Sequence, residues 1–175
     1  MRVTIIGHSQ VPDYLKSYED VEVKSVRVRG GRIYDAYKRR MRAAIVECPD
    51  VICVWLGGNE LVDQDVDKTI KELEELLRFI HNFVREVFWI SVESRNHKPG
   101  DPRYHLNAKY HERAKKVNRA LSRRARRSRQ FRVINVASSK MAKDSRDGIH
   151  FSRKSKGWVV NKIKAAVRAV QRRTQ

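Results

Sequence analysis

The chain has 175 residues, 39 Lys+Arg against 20 Asp+Glu, a formal net charge of +19 and 41% hydrophobic residues. That is enough chain for one domain with a real core, read here as spanning 1–175, and too apolar for a disordered basic tail. No apolar run reaches the ~18 residues of a membrane span, the opening Met1–Gln10 has too short an apolar stretch for a signal peptide, and Cys48 and Cys53 supply neither a disulfide framework nor a zinc spacing.

Val3-Thr4-Ile5-Ile6 is a β-branched run stopped by Gly7 and reads as a buried strand. Residues 21–28 alternate and stop at Gly30-Gly31, a second strand. Ile33, Tyr34, Tyr37, Met41, Ala44 and Ile45 then recur at helical spacing, and Pro49 ends that helix. Val51 to Leu56 is uninterruptedly apolar, as a strand buried on both faces of a parallel sheet must be. A long amphipathic helix follows, with Val66, Ile70, Leu73, Leu76, Leu77, Ile80 and Phe83 as its stripe and acids near its start.

Val87 to Val92 is the fourth strand, and 96–107 a loop with two prolines and a glycine. From Tyr110 a helix sets Tyr110, Ala114, Val117 and Leu121 on one face and Lys/Arg on the rest. Phe131 to Val136 is the fifth strand, and 138–149 a polar loop. A last helix, about 154–171, buries Trp158, Val159, Ile163, Ala166, Val167 and Val170. Five strands alternating with helices mean an α/β fold with a mostly parallel sheet and helices on both faces. Ligands of such sheets sit at the carboxyl ends of the strands.

Four of those ends carry chemistry: Gly7-His8-Ser9, Arg29-Gly30-Gly31, Gly57-Gly58-Asn59-Glu60 and Asp147-Gly148-Ile149-His150. Together they offer a hydroxyl, glycines that let backbone N–H groups approach a ligand, an amide donor and an acid–imidazole pair. Taken singly each has a plain structural reading. Ser9 and Asn59 can cap helices, the glycine pairs can be turns, and a lone His150 can be structural. Their joint occurrence, in order, favours chemistry. Walker A, G-x-S-x-G, H-E-x-x-H and G-x-G-x-x-G are all absent.

These four blocks resemble those of the SGNH hydrolases, the GDSL-type esterases, over nearly the whole chain. The resemblance implies a three-layer α/β/α sandwich on a five-stranded parallel sheet, flavodoxin-like in plan. It implies Ser9 as nucleophile, His150 as general base and Asp147 as its orienting partner. The oxyanion hole would be the N–H groups of Ser9 and Gly31 and the side-chain amide of Asn59. No metal or organic cofactor is implied. Two positions depart from the family: His8 stands where an Asp usually precedes the serine, and Glu60 where an Asp usually follows the asparagine.

Charge is distributed unevenly. Residues 1–97 carry 15 Lys+Arg and 16 Asp+Glu, whereas 98–175 carry 24 and 4. A one-signed block on an ordered segment points to a polyanion, either nucleic acid or an anionic membrane surface. Lys115, Lys116, Arg119, Arg123, Arg126 and Arg127 lie off the apolar stripe of their helix and are the candidate phosphate contacts; Tyr104 and Tyr110 are either base-stacking or packing residues. The segment Lys109–Leu121, with its Val117-Asn118-Arg119-Ala120-Leu121 core, and the block Asp147–Ser152 are also similar to SGNH domains encoded by retrotransposons. That implies one domain of an element-encoded protein.

The sequence therefore predicts a serine esterase for small acyl esters, acetyl or lipid. A nucleic-acid-binding module on the same fold, with little or no hydrolysis, is the alternative. The expected setting is intracellular: cytoplasmic, nuclear or within a ribonucleoprotein.

Overall fold

A computed structural model describes residues 1–11, 17–18, 20–28, 30–35, 40–93, 95–136 and 149–174. Strands β1 (Arg2–Gly7), β2 (Glu22–Arg27), β3 (Val51–Trp55), β4 (Glu86–Ile90) and β5 (Phe131–Ile134) pair in parallel, in the order β2-β1-β3-β4-β5. The wholly apolar run lands at the centre: β3 is buried at every position, while β2, an edge, is half exposed.

Successive side chains of a strand point to opposite faces, and both faces here are covered. Ile52 and Val54 of β3 and Val87 and Trp89 of β4 pack on one side. There they meet α1 (Ile33–Asp35), α2 (Met41–Ile45), α3 (Val66–His81) and α4 (Asn107–Arg126). Val51, Cys53, Trp55, Phe88 and Ile90 pack on the other side against α5 (Arg153–Thr174), through Val159, Ile163, Val167 and Val170. The result is the three-layer α/β/α sandwich expected.

The helix expected from Ile33 to Ile45 is described at its two ends, α1 and α2; residues 36–39, Tyr37 among them, lie outside the described residues. Three details differ from the sequence reading. Phe83 is not part of the α3 stripe. The helix stops at His81, the Phe83 and Val84 N–H groups both donate to the Ile80 carbonyl, and Val84 takes the buried place while Phe83 is 57% exposed. Trp158 is 40% exposed: the inward face of α5 is the 159/163/167/170 stripe, one residue round the helix, and Lys162 sits over the indole. Finally, α4 begins at Asn107 rather than Tyr110, because a 3₁₀ turn at Tyr104–Leu106 runs straight into it. Its inward residues Tyr110, Ala114, Val117 and Leu121 are buried as the periodicity required, and Tyr104 is exposed.

Among the described residues no helix is long and apolar enough to cross a membrane.

Candidate active site

The end of β1 lies close against the end of its parallel neighbour β3. A Cβ on Gly7 would lie 2.6 Å from the Trp55 carbonyl oxygen, so only glycine fits, and the His8 N–H donates to that same carbonyl. Ser9 follows at the carboxyl edge of the sheet. Ser9 Oγ lies 2.8 Å from His150 Nε2, a hydrogen bond between residues 141 positions apart. The Ser9 N–H has no acceptor among the described residues.

Gln10 holds these two segments in register. Its amide Nε2 donates to the Ile149 carbonyl at 3.1 Å and its Oε1 accepts the Phe151 N–H at 3.0 Å. The side chain is 1% exposed and clasps the backbone on both sides of His150. The residue next to the nucleophile thus sets the placement of the base.

Asn59 follows β3, next in the sheet to β1. Its Nδ2 donates to the Gly31 carbonyl at 2.9 Å, and its Oδ1 accepts from Arg95 Nη2. Gly31 is confined: a Cβ there would meet the Val28 side chain at 2.4 Å. Its N–H donates to the Val28 carbonyl at 2.9 Å, closing a turn in which Gly30 takes φ +63.

His8 and Glu60, the two residues that depart from the resembled blocks, are both buried beside polar partners. His8 is buried; its Nδ1 accepts the Gln10 N–H at 3.3 Å, which places a neutral ring's proton on Nε2, and that nitrogen lies 3.7 Å from Glu93 Oε1. Glu93, also buried, accepts from the Trp55 indole N–H at 3.4 Å. Glu60 is 0% exposed and its Oε1 accepts the Ile33 N–H, tying the loop that carries Gly31 to the loop that carries Asn59. Burial pushes the Glu60 carboxyl above the usual carboxylate range, against the Ile33 N–H, which favours the anion. Burial likewise pushes the Tyr110 phenol far above its ordinary value, so it stays protonated.

The structure brings Ser9 and His150 into contact and ties Asn59 to Gly31. Asp147 lies outside the described residues. Lys115, Lys116, Arg119, Arg123, Arg126 and Arg127 are all exposed. Lys115, Arg119, Arg123 and Arg126 line a groove of about 570 Å³ between α4 and β5, whose floor includes Asn118 and Asn135. Arg127 belongs to a second groove, of about 960 Å³, shared with Phe83, Arg85, Arg129 and Arg173. Gln10 and Arg95 were not singled out by the sequence. A buried-strand end followed by Ser9-Gln10-Val11 carries a signal for Gln10, a polar residue between a site and a core position. Arg95 follows β4, a strand end that none of the four blocks covers.

No protein-family model and no characterised protein sequence matches the chain. Solved structures match its fold. An acetyl xylan esterase, AlAXEase, superposes with a TM-score of 0.72 at 15% identity, covering 95% of this chain and 100% of that one. A GDSL-like lipase from Bacteroides thetaiotaomicron gives 0.74 at 16% identity, covering 97% and 88%. A lipase/acylhydrolase from Enterococcus faecalis gives 0.73 at 17%, covering 97% and 96%. At these identities the likeness is one of fold: the chain has the five-stranded sandwich of the SGNH/GDSL hydrolases.

Proposed function

We propose that the protein is a serine esterase acting on small acyl esters, acetyl or lipid. The observation that carries this reading is the 2.8 Å contact between Ser9 Oγ and His150 Nε2. A serine hydroxyl is a weak nucleophile until a base takes its proton, and an imidazole can do so near neutral pH. Ser9 Oγ attacks the ester carbonyl as His150 Nε2 accepts its proton; the same nitrogen returns it to the leaving alcohol, and water then repeats the cycle on the acyl-enzyme. Asp147, three residues before His150, is assigned to orient the ring. The oxyanion donors are the Ser9 N–H and Asn59 Nδ2, whose second hydrogen has no acceptor among the described residues. Gly31 serves as third donor only by exchanging the Val28 carbonyl for the oxyanion.

The test is labelling by a fluorophosphonate probe. Wild type should be labelled covalently and Ser9→Ala should not. Equal labelling of both would remove Ser9 from the mechanism, and absence of labelling and turnover in the wild type would remove the esterase reading.

A second reading concerns the flank. The α4–β5 groove, with Lys115, Arg119, Arg123 and Arg126 on one wall, suits a chain of phosphates, and the second groove holds an exposed aromatic ring, Phe83, beside Arg85, Arg127, Arg129 and Arg173 and two acids, Asp50 and Glu86. Basic grooves with stacking platforms take single-stranded nucleic acid. Such binding would be compatible with a retrotransposon-encoded protein working in a ribonucleoprotein, as the Lys109–Leu121 and Asp147–Ser152 resemblances imply. Binding to single-stranded RNA that falls steeply with salt would support it. Binding to anionic vesicles but not to RNA would move the partner to a membrane.

A further inference from the structure

Asn59 is the only oxyanion donor assigned above that is a side chain, and a carboxamide can face either way. Its two ends are alike in shape and opposite in function, so the neighbours decide which end is the donor. In this protein the neighbours are unambiguous. Arg95 has hydrogens to give and nothing to accept with, and its Nη2 lies on Oδ1. The Gly31 carbonyl can only accept, and Nδ2 lies on it. A flipped amide would set NH2 against guanidinium and oxygen against oxygen, losing both bonds and gaining two repulsions.

Arg95 is itself aimed from α4. Its guanidinium lies over the Tyr110 ring, 5.1 Å from the centroid, and its carbonyl accepts from His111 Nε2 at 2.8 Å. Gly58 makes room for the Tyr110 hydroxyl. A Cβ at Gly58 would stand 3.2 Å from the Tyr110 hydroxyl and 3.7 Å from Arg95 Nη2.

We propose that Arg95 is the positioning residue of the oxyanion hole, locking the Asn59 amide with Nδ2 as the outward donor and polarising it through a charge-assisted bond. A cation on Oδ1 draws electron density from the amide and makes the Nδ2 hydrogens better donors, and it does so in both ground and transition states without touching substrate. The benefit appears when negative charge develops on the substrate oxygen, so Arg95 should act on kcat and leave KM alone. This inference rests on the esterase reading.

The experiment is steady-state hydrolysis of p-nitrophenyl acetate, with thermal melts as the folding control. The proteins are wild type, Arg95→Met, Arg95→Gln, Asn59→Ala and the double variant Arg95→Met/Asn59→Ala. Arg95→Met should lower kcat by about tenfold to a hundredfold, part of the loss expected for a whole donor, with KM within about twofold. Arg95→Gln keeps an N–H for Oδ1 and lacks the charge, and should recover part of that loss. In the Asn59→Ala background Arg95→Met should cost nothing further, since the two act through one amide. Wild-type kcat in folded Arg95→Met or Arg95→Gln would overturn the proposal, as would an equal loss with and without Asn59. Those outcomes leave the esterase intact; an inactive wild type would overturn the esterase and the role of Arg95 together.

Discussion

The carboxyl edge of the sheet and the α4–β5 flank are both polar, in opposite ways. At the edge each side chain is tied to specific partners: Ser9 to His150, Asn59 to Arg95 and Gly31, Glu60 to the Ile33 N–H, Gln10 to both sides of His150. Along the flank Arg119, Arg123 and Arg126 have no ion-pair partner among the described residues. The edge is organised by geometry and carries little net charge. The flank is organised by charge and carries little fixed geometry. Reactions that stabilise a developing charge at one atom need the first arrangement; binding a polyanion through released counterions needs only the second. One molecule can hold both because α4 packs inward through Tyr110, Ala114, Val117 and Leu121 and leaves its basic residues exposed.

That contrast breaks most visibly at the nucleophile. Ser9→Ala and His150→Ala should each lower p-nitrophenyl acetate turnover by roughly 10⁴-fold or more, with melting temperature and RNA binding unchanged. Substantial turnover in either variant would place the chemistry elsewhere. Asn59→Ala comes next, with a loss of about 10²–10³ in kcat read in the same assay.

Gln10→Leu tests whether the edge depends on geometry rather than on residue type. Nothing chemical is removed from the reaction, yet the Phe151 N–H and Ile149 carbonyl lose their partner, at a cost of about 1–3 kcal/mol in stability. Turnover should fall as His150 loses its alignment with Ser9. Calorimetry and kinetics on the same sample check both; a variant as stable and as active as wild type would show that the clasp is dispensable.

The flank should answer to charge number alone. Changing Lys116, Arg119, Arg123 and Arg127 to Gln should make the slope of log K against log salt shallower by about three for single-stranded RNA. Hydrolysis of the neutral ester should stay the same, since an uncharged substrate gains nothing from steering. Loss of esterase activity in that folded variant would mean that the α4 face borders the substrate, and would merge the two regions.

The smallest effect belongs to Glu60. Its folded-state pKa is raised above the ordinary 4.5, so its stabilising contribution is present below about 4.5 and is lost as pH rises through the folded value. Glu60→Gln keeps an oxygen for the Ile33 N–H and removes the titration. Its melting temperature should therefore decline less than that of wild type as pH rises through that window. Parallel melting curves would mean that Glu60 is not strained by burial.

The sheet was legible because its signals are local. Six apolar residues in a row at 51–56, closed by Gly57-Gly58, read as a strand covered on both sides, and β3 is central and buried throughout. The α4 stripe is a matter of 3.6-residue spacing, and each of its four members is inside. The same rule misassigned Phe83 and Trp158, because periodicity cannot tell where a helix stops or which of two adjacent residues faces the sheet. The departures at His8 and Glu60 were visible in the sequence, but their resolution was not: Glu93 and Ile33 come from other elements.

What the amino-acid order determined by itself is the set of elements, the order of the four strand-end blocks and the concentration of positive charge after residue 98. All three follow from windows of a few residues, in which side-chain period, glycine sterics and charge act without reference to the rest of the chain. What only the tertiary structure decided is which groups meet. Ser9 and Gln10 reach residues about 140 positions away, and Arg95 reaches Asn59, only because the parallel pairing in the order β2-β1-β3-β4-β5 stacks the carboxyl ends of distant strands along one edge. A hydrogen bond acts over about 3 Å. No local pattern can specify one between residues that far apart in the chain, until burial of two apolar faces has set the register of the sheet between them.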